Sequence, residues 1–162
     1  MTSTAWKPRR KAPFARSVAA VLGRDRIFLA NTHYGAVKQG SGGNLACAHM
    51  VGGEWKQDTL ESEGVTDAAL TACRDLGNTV FCFYVEVVKK GDGNINEVHH
   101  RRWKAGTWEP SVLVAAEAFA VNHVTVPIVC PADYAAVFWD QRKTRAMRHK
   151  PNALRFVRVL NR

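Results

Sequence analysis

Arg101-Arg102-Trp103-Lys104-Ala105-Gly106-Thr107-Trp108 decides the fold, because its last three residues mark a position that recurs along the chain. Gly53-Glu54-Trp55 stands 53 residues earlier, and Trp6 lies 49 residues before Trp55. A tryptophan repeated at a nearly constant spacing, behind a short turn, is typical of a repeated structural unit. We therefore expect a chain built from units of about 50 residues.

Each unit repeats the same series of short apolar segments. The segments are rich in β-branched and aromatic residues and end at Gly, Asn, Asp or Pro, which predicts strands. First strands are expected at 17–22, 67–73 and 123–130, and second strands at 27–31, 80–84 and 135–139. Polar loops are expected at 34–43, 88–93 and 141–151. Third strands open at Asn44, Asn94 and Asn152, and fourth strands at Trp55 and Trp108. Only an Ala-rich stretch at 114–120 favours a helix.

Four antiparallel strands per unit are typical of a β-propeller blade. We expect an all-β chain that forms one propeller domain over residues 1–162, with three blades. Residues 4–12 would be an outer strand that closes the last blade. The blades themselves are expected at 13–64, 65–117 and 118–162.

Three blades do not close a ring, since known propellers use roughly four to eight. The first and last blades would each expose an apolar face, which soluble monomers avoid. Cyclic self-association removes both faces, so we expect a homodimer with six blades. Whether residues 4–12 close a blade of their own chain or of its neighbour stays open, and so do larger rings.

The net charge of +9 comes from the two ends of the chain. Residues 1–16 hold five basic side chains and residues 141–162 hold eight, without an acidic residue in either segment. Two solvated tails are one interpretation; one basic surface on a shared blade is the other, which we favour. That surface would contain Arg9, Arg10, Lys11, Arg142, Lys143, Arg145, Arg148, Arg155 and Arg158.

Three segments resemble blades of the sialidase (BNR-type) and fucose-lectin propeller families. They are Gly91-Asp92-Gly93-Asn94-Ile95, the stretch 101–108 quoted above, and Ala136-Val137-Phe138-Trp139-Asp140. The sialidase Asp box, Ser-x-Asp-x-Gly-x-Thr-Trp, is represented by its tail alone, Gly106-Thr107-Trp108. The resemblance implies a propeller, glycan binding, and a six-bladed ring made from chains of few blades.

Hydrogen-bonding side chains and aromatic rings stand at matching strand ends of successive units. Such sets suit shallow pockets for polar ligands. The expected ligand-binding residues are Arg16, Asp67, Tyr84, Glu86, His123, Trp139 and Asp140. The predicted function is a non-enzymatic, lectin-like protein that binds glycans or another small polar or anionic ligand. Packing of Tyr84 and Trp139 between blades is the alternative role for these rings.

A sialidase-like glycoside hydrolase is one alternative function. The resemblance implies a tyrosine nucleophile paired with a glutamate, for which Tyr84 and Glu86 qualify because residues two apart on a strand point to the same side. Glu97 and His99 share a face in the same way, and we expect a surface pair rather than a metal site. We expect no catalytic residue, no metal and no cofactor.

Two further alternatives are a nucleic-acid-binding protein that uses the basic surface, and a structural or ligand-sequestering scaffold. Four cysteines in apolar runs, at 47, 73, 82 and 130, are expected to be buried hydrophobic side chains. No apolar run approaches the roughly 18 residues of a membrane span. The N-terminus lacks the apolar core of a signal peptide, so the expected location is cytoplasmic, or outside the cell after release without one.

Overall fold

The computed structural model describes residues 15–22, 27–33, 42–51, 54–76, 79–117, 121–141 and 153–162. Within these ranges the chain is all-β without helix, as predicted. The strands are β1 (Ala15–Leu22), β2 (Ile27–His33), β3 (Gly43–Val51), β4 (Glu54–Cys73), β5 (Val80–Lys90), β6 (Gly93–Lys104), β7 (Thr107–Trp108), β8 (Val112–Glu117), β9 (Val121–Thr125), β10 (Val129–Cys130), β11 (Tyr134–Gln141) and β12 (Ala153–Leu160).

Antiparallel pairing groups most of the strands into three meanders, and β10 pairs in parallel with the end of β4. The first meander is β1, β2, β3 and the beginning of β4, and the second is the end of β4 with β5, β6, β7 and β8. The third meander is β9, β11 and β12. The 20-residue strand β4 belongs to the first two, since its residues 54–65 pair with β3 and its residues 65–72 pair with β5.

Two glycines allow the change of partner in the middle of β4. Gly64 has a φ of +81° and Gly42 a φ of +73°, a backbone conformation that residues with a side chain rarely adopt. A Cβ atom on Gly42 would lie 2.3 Å from the carbonyl carbon of Gly64, so the two backbones touch. The register shifts on both sides of this contact, between Gly43 and Leu45 and between Val65 and Asp67.

β5 is buried on both faces, which explains its unbroken apolar run. Val80, Cys82 and Tyr84 face core 1, which lies between the first and second meanders and contains Phe28, Leu45 and Trp103. The intervening residues face core 2, between the second and third meanders. Core 2 contains Phe81, Phe83, Val85, Val98, Val124, Val137 and Trp139.

Several predicted boundaries were wrong. The polar loop expected at 88–93 is a tight hairpin, since β5 runs to Lys90 and β6 begins at Gly93. Gly91 supplies the positive φ, +60°, that this turn requires. The Ala-rich stretch is a strand over Val112–Glu117, and the strand expected at 123–130 is broken between Thr125 and Val129, where Pro127 lacks a backbone donor. The outer strand expected at 4–12 lies outside the described residues.

Candidate functional site

A groove of about 510 Å³ lies between the beginning of β4 and the strands β6 and β7. Its lining combines charged groups with two indole rings. The residues that carry this character are His49, Lys56, Asp58, Arg101, Trp103 and Trp108. They come from both meanders that enclose core 1, so the groove exists only because those meanders pack together.

The aromatic wall of the groove is the edge of core 1. The Trp103 and Trp108 rings meet at 68° with centroids 5.5 Å apart, and Trp103 also lies 4.6 Å from the His49 ring. Phe28 stands behind both indoles. The Trp108 indole N–H is buried and has no acceptor among the described residues. A buried indole N–H normally finds an acceptor, so a ligand that reaches this donor would supply the missing one.

Charge in the groove is mixed. His49 Nδ1 lies 3.4 Å from Asp58 Oδ2 at one side, and the Arg101 side chain, 23% exposed, stands at the other. Arg101 Nε donates to Glu61 Oε1 at 3.0 Å, which fixes the guanidinium in place. The groove therefore offers one carboxylate, fixed donors and aromatic faces within one concave surface.

A chain of hydrogen bonds continues from Arg101 away from the groove. The Tyr84 hydroxyl donates to Glu61 and lies 2.6 Å from Ser111 Oγ. Ser111 Oγ lies 3.1 Å from His99 Nδ1, and His99 Nε2 lies 2.9 Å from Glu97 Oε2. The Tyr84 and His99 rings stack at 5.5 Å. We call the chain Arg101–Glu61–Tyr84–Ser111–His99–Glu97 the polar relay.

The polar relay contains a serine, a histidine and a carboxylate, the three groups that together can activate a serine nucleophile. Activation requires the Ser111 proton to point at a histidine lone pair. The Tyr84 proton is used on Glu61, so the short contact between the two hydroxyls needs the Ser111 proton. Ser111 Oγ is then left to accept from His99 Nδ1, so Ser111 is a bridge between Tyr84 and His99 and not a nucleophile.

Burial sets the protonation of the groups around the relay. Tyr84 is fully buried, and burial together with the Glu61 hydrogen bond raises the pKa of its hydroxyl. Burial also raises the pKa of Glu86, although the nearby His99 opposes the shift. Glu86 Oε2 lies 3.8 Å from His99 Nε2, so the ring is flanked by two carboxyl groups. The relay thus holds Tyr84 as a neutral phenol that donates to Glu61.

The expected ligand-binding residues are divided by the β4–β5 sheet. Tyr84 and Glu86 lie on the core 1 side, within or beside the polar relay. Asp67, His123 and Asp140 meet on the other side. Asp67 Oδ2 accepts from Val124 N at 2.9 Å and lies 3.5 Å from His123 Nδ1, and Asp140 Oδ1 accepts from His123 N at 3.2 Å.

Trp139 belongs to core 2 rather than to an open surface. It is 3% exposed, and its indole N–H donates to Glu117 Oε1 at 3.3 Å. The backbone of Arg16 lies in β1, but its side chain is outside the described part of the structure. The expected set of seven is therefore not one constellation.

Only part of the expected basic surface can be located. Arg155 and Arg158 are exposed on β12. Arg155 donates to Gln141 Oε1 at 3.1 Å, and the Arg158 guanidinium lies 5.5 Å from the Tyr134 ring centroid. The remaining members lie outside the described residues: Arg9, Arg10, Lys11, Arg142, Lys143, Arg145 and Arg148.

The strongest site residues were missed from sequence. Arg101 and Trp103 lie in the segment 101–108, whose resemblance to a propeller blade gives them no binding role. No sequence pattern identifies Glu61 and Ser111, because the pairing of distant strands brings each of them to the relay. The pairing of Glu97 with His99 on one face was expected and is present.

No helix among the described residues has the length and apolar character needed to cross a membrane. The same residues contain no group of three or more His, Cys, Asp or Glu side chains arranged to hold a metal ion. Comparisons with protein-family models, with curated proteins and with solved structures gave no match.

Proposed function

We propose that the chain is a non-enzymatic, lectin-like binding protein that holds a glycan or another small polar or anionic ligand in the groove. One observation carries the proposal: Trp108 has a buried indole N–H for which the described part of the chain supplies no acceptor, beside an arginine that is fixed by Glu61. Sugar sites commonly combine an aromatic face, for the apolar side of the ring, with charged hydrogen-bonding groups for its hydroxyls.

Anionic ligands fit the groove best. Lys56 and Arg101 line it, with His49 close to the single groove carboxylate, Asp58. A carboxylate on a sugar would pair with a guanidinium whose orientation is already fixed, so little conformational entropy is lost on binding. Tyr84 acts indirectly, because its hydroxyl binds Glu61, which in turn binds Arg101. Asp67, His123 and Asp140 form a second cluster on the opposite side.

We further propose that the three meanders are propeller blades and that two chains complete a six-bladed ring. The stacking of the meanders on two cores supports this arrangement. The outward face of the third meander supports it as well, since it pairs Phe138 with Phe156 at 4.8 Å and leaves Leu154 and Leu160 exposed at 74% and 51%. A second copy of the chain would cover this apolar face.

The binding proposal is tested with N-acetylneuraminic acid, glucuronic acid and methyl fucoside, each titrated while tryptophan fluorescence is recorded. Trp108→Phe keeps most of the aromatic surface and removes the N–H, so we expect it to weaken binding about tenfold, the effect of one hydrogen bond. Arg101→Gln should weaken the acidic sugars most. Trp55→Phe is the matched control, because Trp55 is half exposed and lies outside the groove lining. Equal affinity in the Trp108→Phe and Trp55→Phe proteins would reject the groove as the site.

A sialidase-like hydrolase is the second candidate, because Tyr84 does contact a glutamate and an arginine. The partner is Glu61, whereas the sequence pointed to Glu86. Full burial and the raised pKa of Tyr84 work against a phenolate nucleophile. Release of a fluorescent phenol from its sialoside by the wild type, lost in Tyr84→Phe, would favour this candidate. Nucleic-acid binding and a scaffold role stay predictions. Loss of nucleic-acid affinity at high salt would support the first, and unchanged binding by the groove variants would support the second.

A further inference from the structure

The four cysteines occur as two pairs, one in each core. Cys47 and Cys82 lie in core 1, and Cys73 and Cys130 lie in core 2. None of the four is part of a disulfide, and all four side chains are buried. The sequence predicted buried hydrophobic side chains at these positions, which is confirmed, but it did not indicate that they pair.

Cys73 and Cys130 are register partners in neighbouring strands. β10 pairs with the end of β4 in parallel, with Cys130 opposite Cys73 and Val129 opposite Ala72. Neighbouring strands lie about 4.8 Å apart, and partners point to the same face of the sheet. A disulfide needs a Cα separation of about 4.4 to 6.8 Å. The strand pairing alone therefore places the two residues within bridging distance.

The other pair has a different geometry. Cys47 is on β3 and Cys82 on β5, in two meanders that pack face to face. Packed sheets stand about 10 Å apart, and Cα atoms more than about 7 Å apart are not bridged without backbone movement. The two pairs are therefore similar in burial but differ in the distance between their strands, so one pair can serve as a control for the other.

We propose that Cys73 and Cys130 form an oxidisable thiol pair that closes into a disulfide in the presence of a small disulfide oxidant such as glutathione disulfide. One thiolate attacks a sulfur of the oxidant and releases one glutathione. The second thiolate attacks the resulting mixed disulfide at the protein sulfur and releases the other glutathione. The protein loses two hydrogen atoms and two electrons, and the oxidant is reduced to two thiols.

The oxidant reaches the pair through β10. This strand has two residues, and Cys130 stands between the exposed Val129 and Pro131. Elements this short open locally without global unfolding. Burial, reinforced by Cys130 and by the carboxylates of Asp75 and Asp133, raises the pKa of Cys73 to about 12. Bridging should therefore be slow at neutral pH and faster as pH rises.

The bridge would tie the second meander to the third. In the reduced protein the described links at this point are all noncovalent: the short ladder, a hydrogen bond from Arg74 N to Cys130 O at 3.0 Å, and contacts of Cys130 Sγ with Thr71 Oγ1 at 3.4 Å and of Cys73 Sγ with Tyr134 O at 3.6 Å. A covalent bond there prevents β10 from opening. Closure should therefore raise hydrogen-exchange protection of residues 128–133 while leaving core 1 unchanged.

The test is incubation of the folded wild-type chain with glutathione disulfide, followed by alkylation, intact mass measurement and peptide mapping. We expect a product lighter by two hydrogen atoms, with a Cys73–Cys130 cross-link, and a rate that rises about tenfold per pH unit below the thiol pKa. The Cys47→Ala/Cys82→Ala double variant should form the same bridge. Cys130→Ala should form none and stop at a mixed disulfide.

Retention of four alkylated thiols in the folded wild type, at every pH up to 9, would overturn the proposal. So would a Cys47–Cys82 cross-link formed as fast as Cys73–Cys130. Circular dichroism of each variant identifies any that fails to fold. For such a variant, Cys130→Ser replaces Cys130→Ala, because a hydroxyl can also accept the hydrogen bond that Ala136 N donates to the sulfur.

Discussion

Core 1 and core 2 use the two faces of the same strand for different purposes. Core 1 opens at its edge into the groove, and its tyrosine and tryptophan side chains carry polar atoms to that edge. Core 2 is closed, with Phe81, Phe83, Val85 and Val137 all fully buried. Successive side chains of β5 point to opposite faces. One face therefore contributes to the core beside the candidate site, and the other packs against the third meander.

This difference teaches that burial alone does not identify an aromatic residue's role. Trp103 and Trp139 are 7% and 3% exposed, so the two indoles look alike by exposure. Trp103 lines the groove, whereas the Trp139 N–H is already satisfied by Glu117. What separates them is their position, since Trp103 lies where core 1 opens into the groove and Trp139 is enclosed in core 2.

Trp139→Ala gives the largest expected effect. Removing a buried tryptophan side chain costs about 3 to 5 kcal/mol of the free energy of unfolding, and it also leaves Glu117 without one of its donors. Chemical denaturation measures this loss. The sequence placed Trp139 among the expected ligand-binding residues, with packing between blades as the alternative role; a stable Trp139→Ala protein that no longer binds ligand would favour the binding role.

His100 makes core 2 sensitive to acid. Its ring is buried against Phe81 and Phe83, and burial lowers its pKa to about 4. In the unfolded chain the His100 side chain takes up a proton near pH 6.5, whereas in the folded chain it stays neutral down to about pH 4. The free energy of unfolding is therefore highest above pH 6.5 and decreases as the pH falls from about 6.5 towards 4. We expect a loss of about 2 to 3 kcal/mol over this window.

His100→Phe should remove that pH dependence, as seen in denaturation curves at pH 7 and pH 4.5. His123→Gln is the control, because the His123 side chain is 78% exposed. If the His123→Gln protein loses the acid sensitivity and the His100→Phe protein keeps it, the assignment to core 2 is wrong.

The sequence predicts the strands well because each is marked locally by a run of β-branched and aromatic residues that ends at Gly, Asn, Asp or Pro. β5 and β11 were located from runs such as Val80–Tyr84, where neighbours along the chain carry the signal. The groove is different, since Lys56 and Asp58 meet Arg101 and Trp108 only after two meanders pack. The partner of Tyr84 was mistaken for a similar reason: Glu61 reaches it through the change of partner at Gly64, which no local pattern shows.

Tyr84→Phe probes the polar relay at the edge of core 1. The change keeps the ring and its stacking on His99, but Glu61 and Ser111 each lose the hydrogen bond that they make with the Tyr84 hydroxyl. We expect a loss of about 1 to 2 kcal/mol, smaller than the effect of Trp139→Ala, and weaker ligand binding through a less constrained Arg101. Denaturation and fluorescence titration of one sample measure both effects. Reduced stability with unchanged affinity would separate the relay from the groove.

Ser111→Ala should have the smallest effect, and it decides what the relay is. As a bridge, Ser111 contributes two hydrogen bonds at an exposed position, so we expect a loss of about 1 kcal/mol. Ser62→Ala is the control, because Ser62 is an exposed strand serine without a described role, and we expect it to change stability by less than about 0.5 kcal/mol. A fluorophosphonate probe supplies the second readout, since it labels activated serines. Because the Ser111 proton points to Tyr84, we expect no label; labelling of the wild type that is lost in Ser111→Ala would show that the proton points to His99.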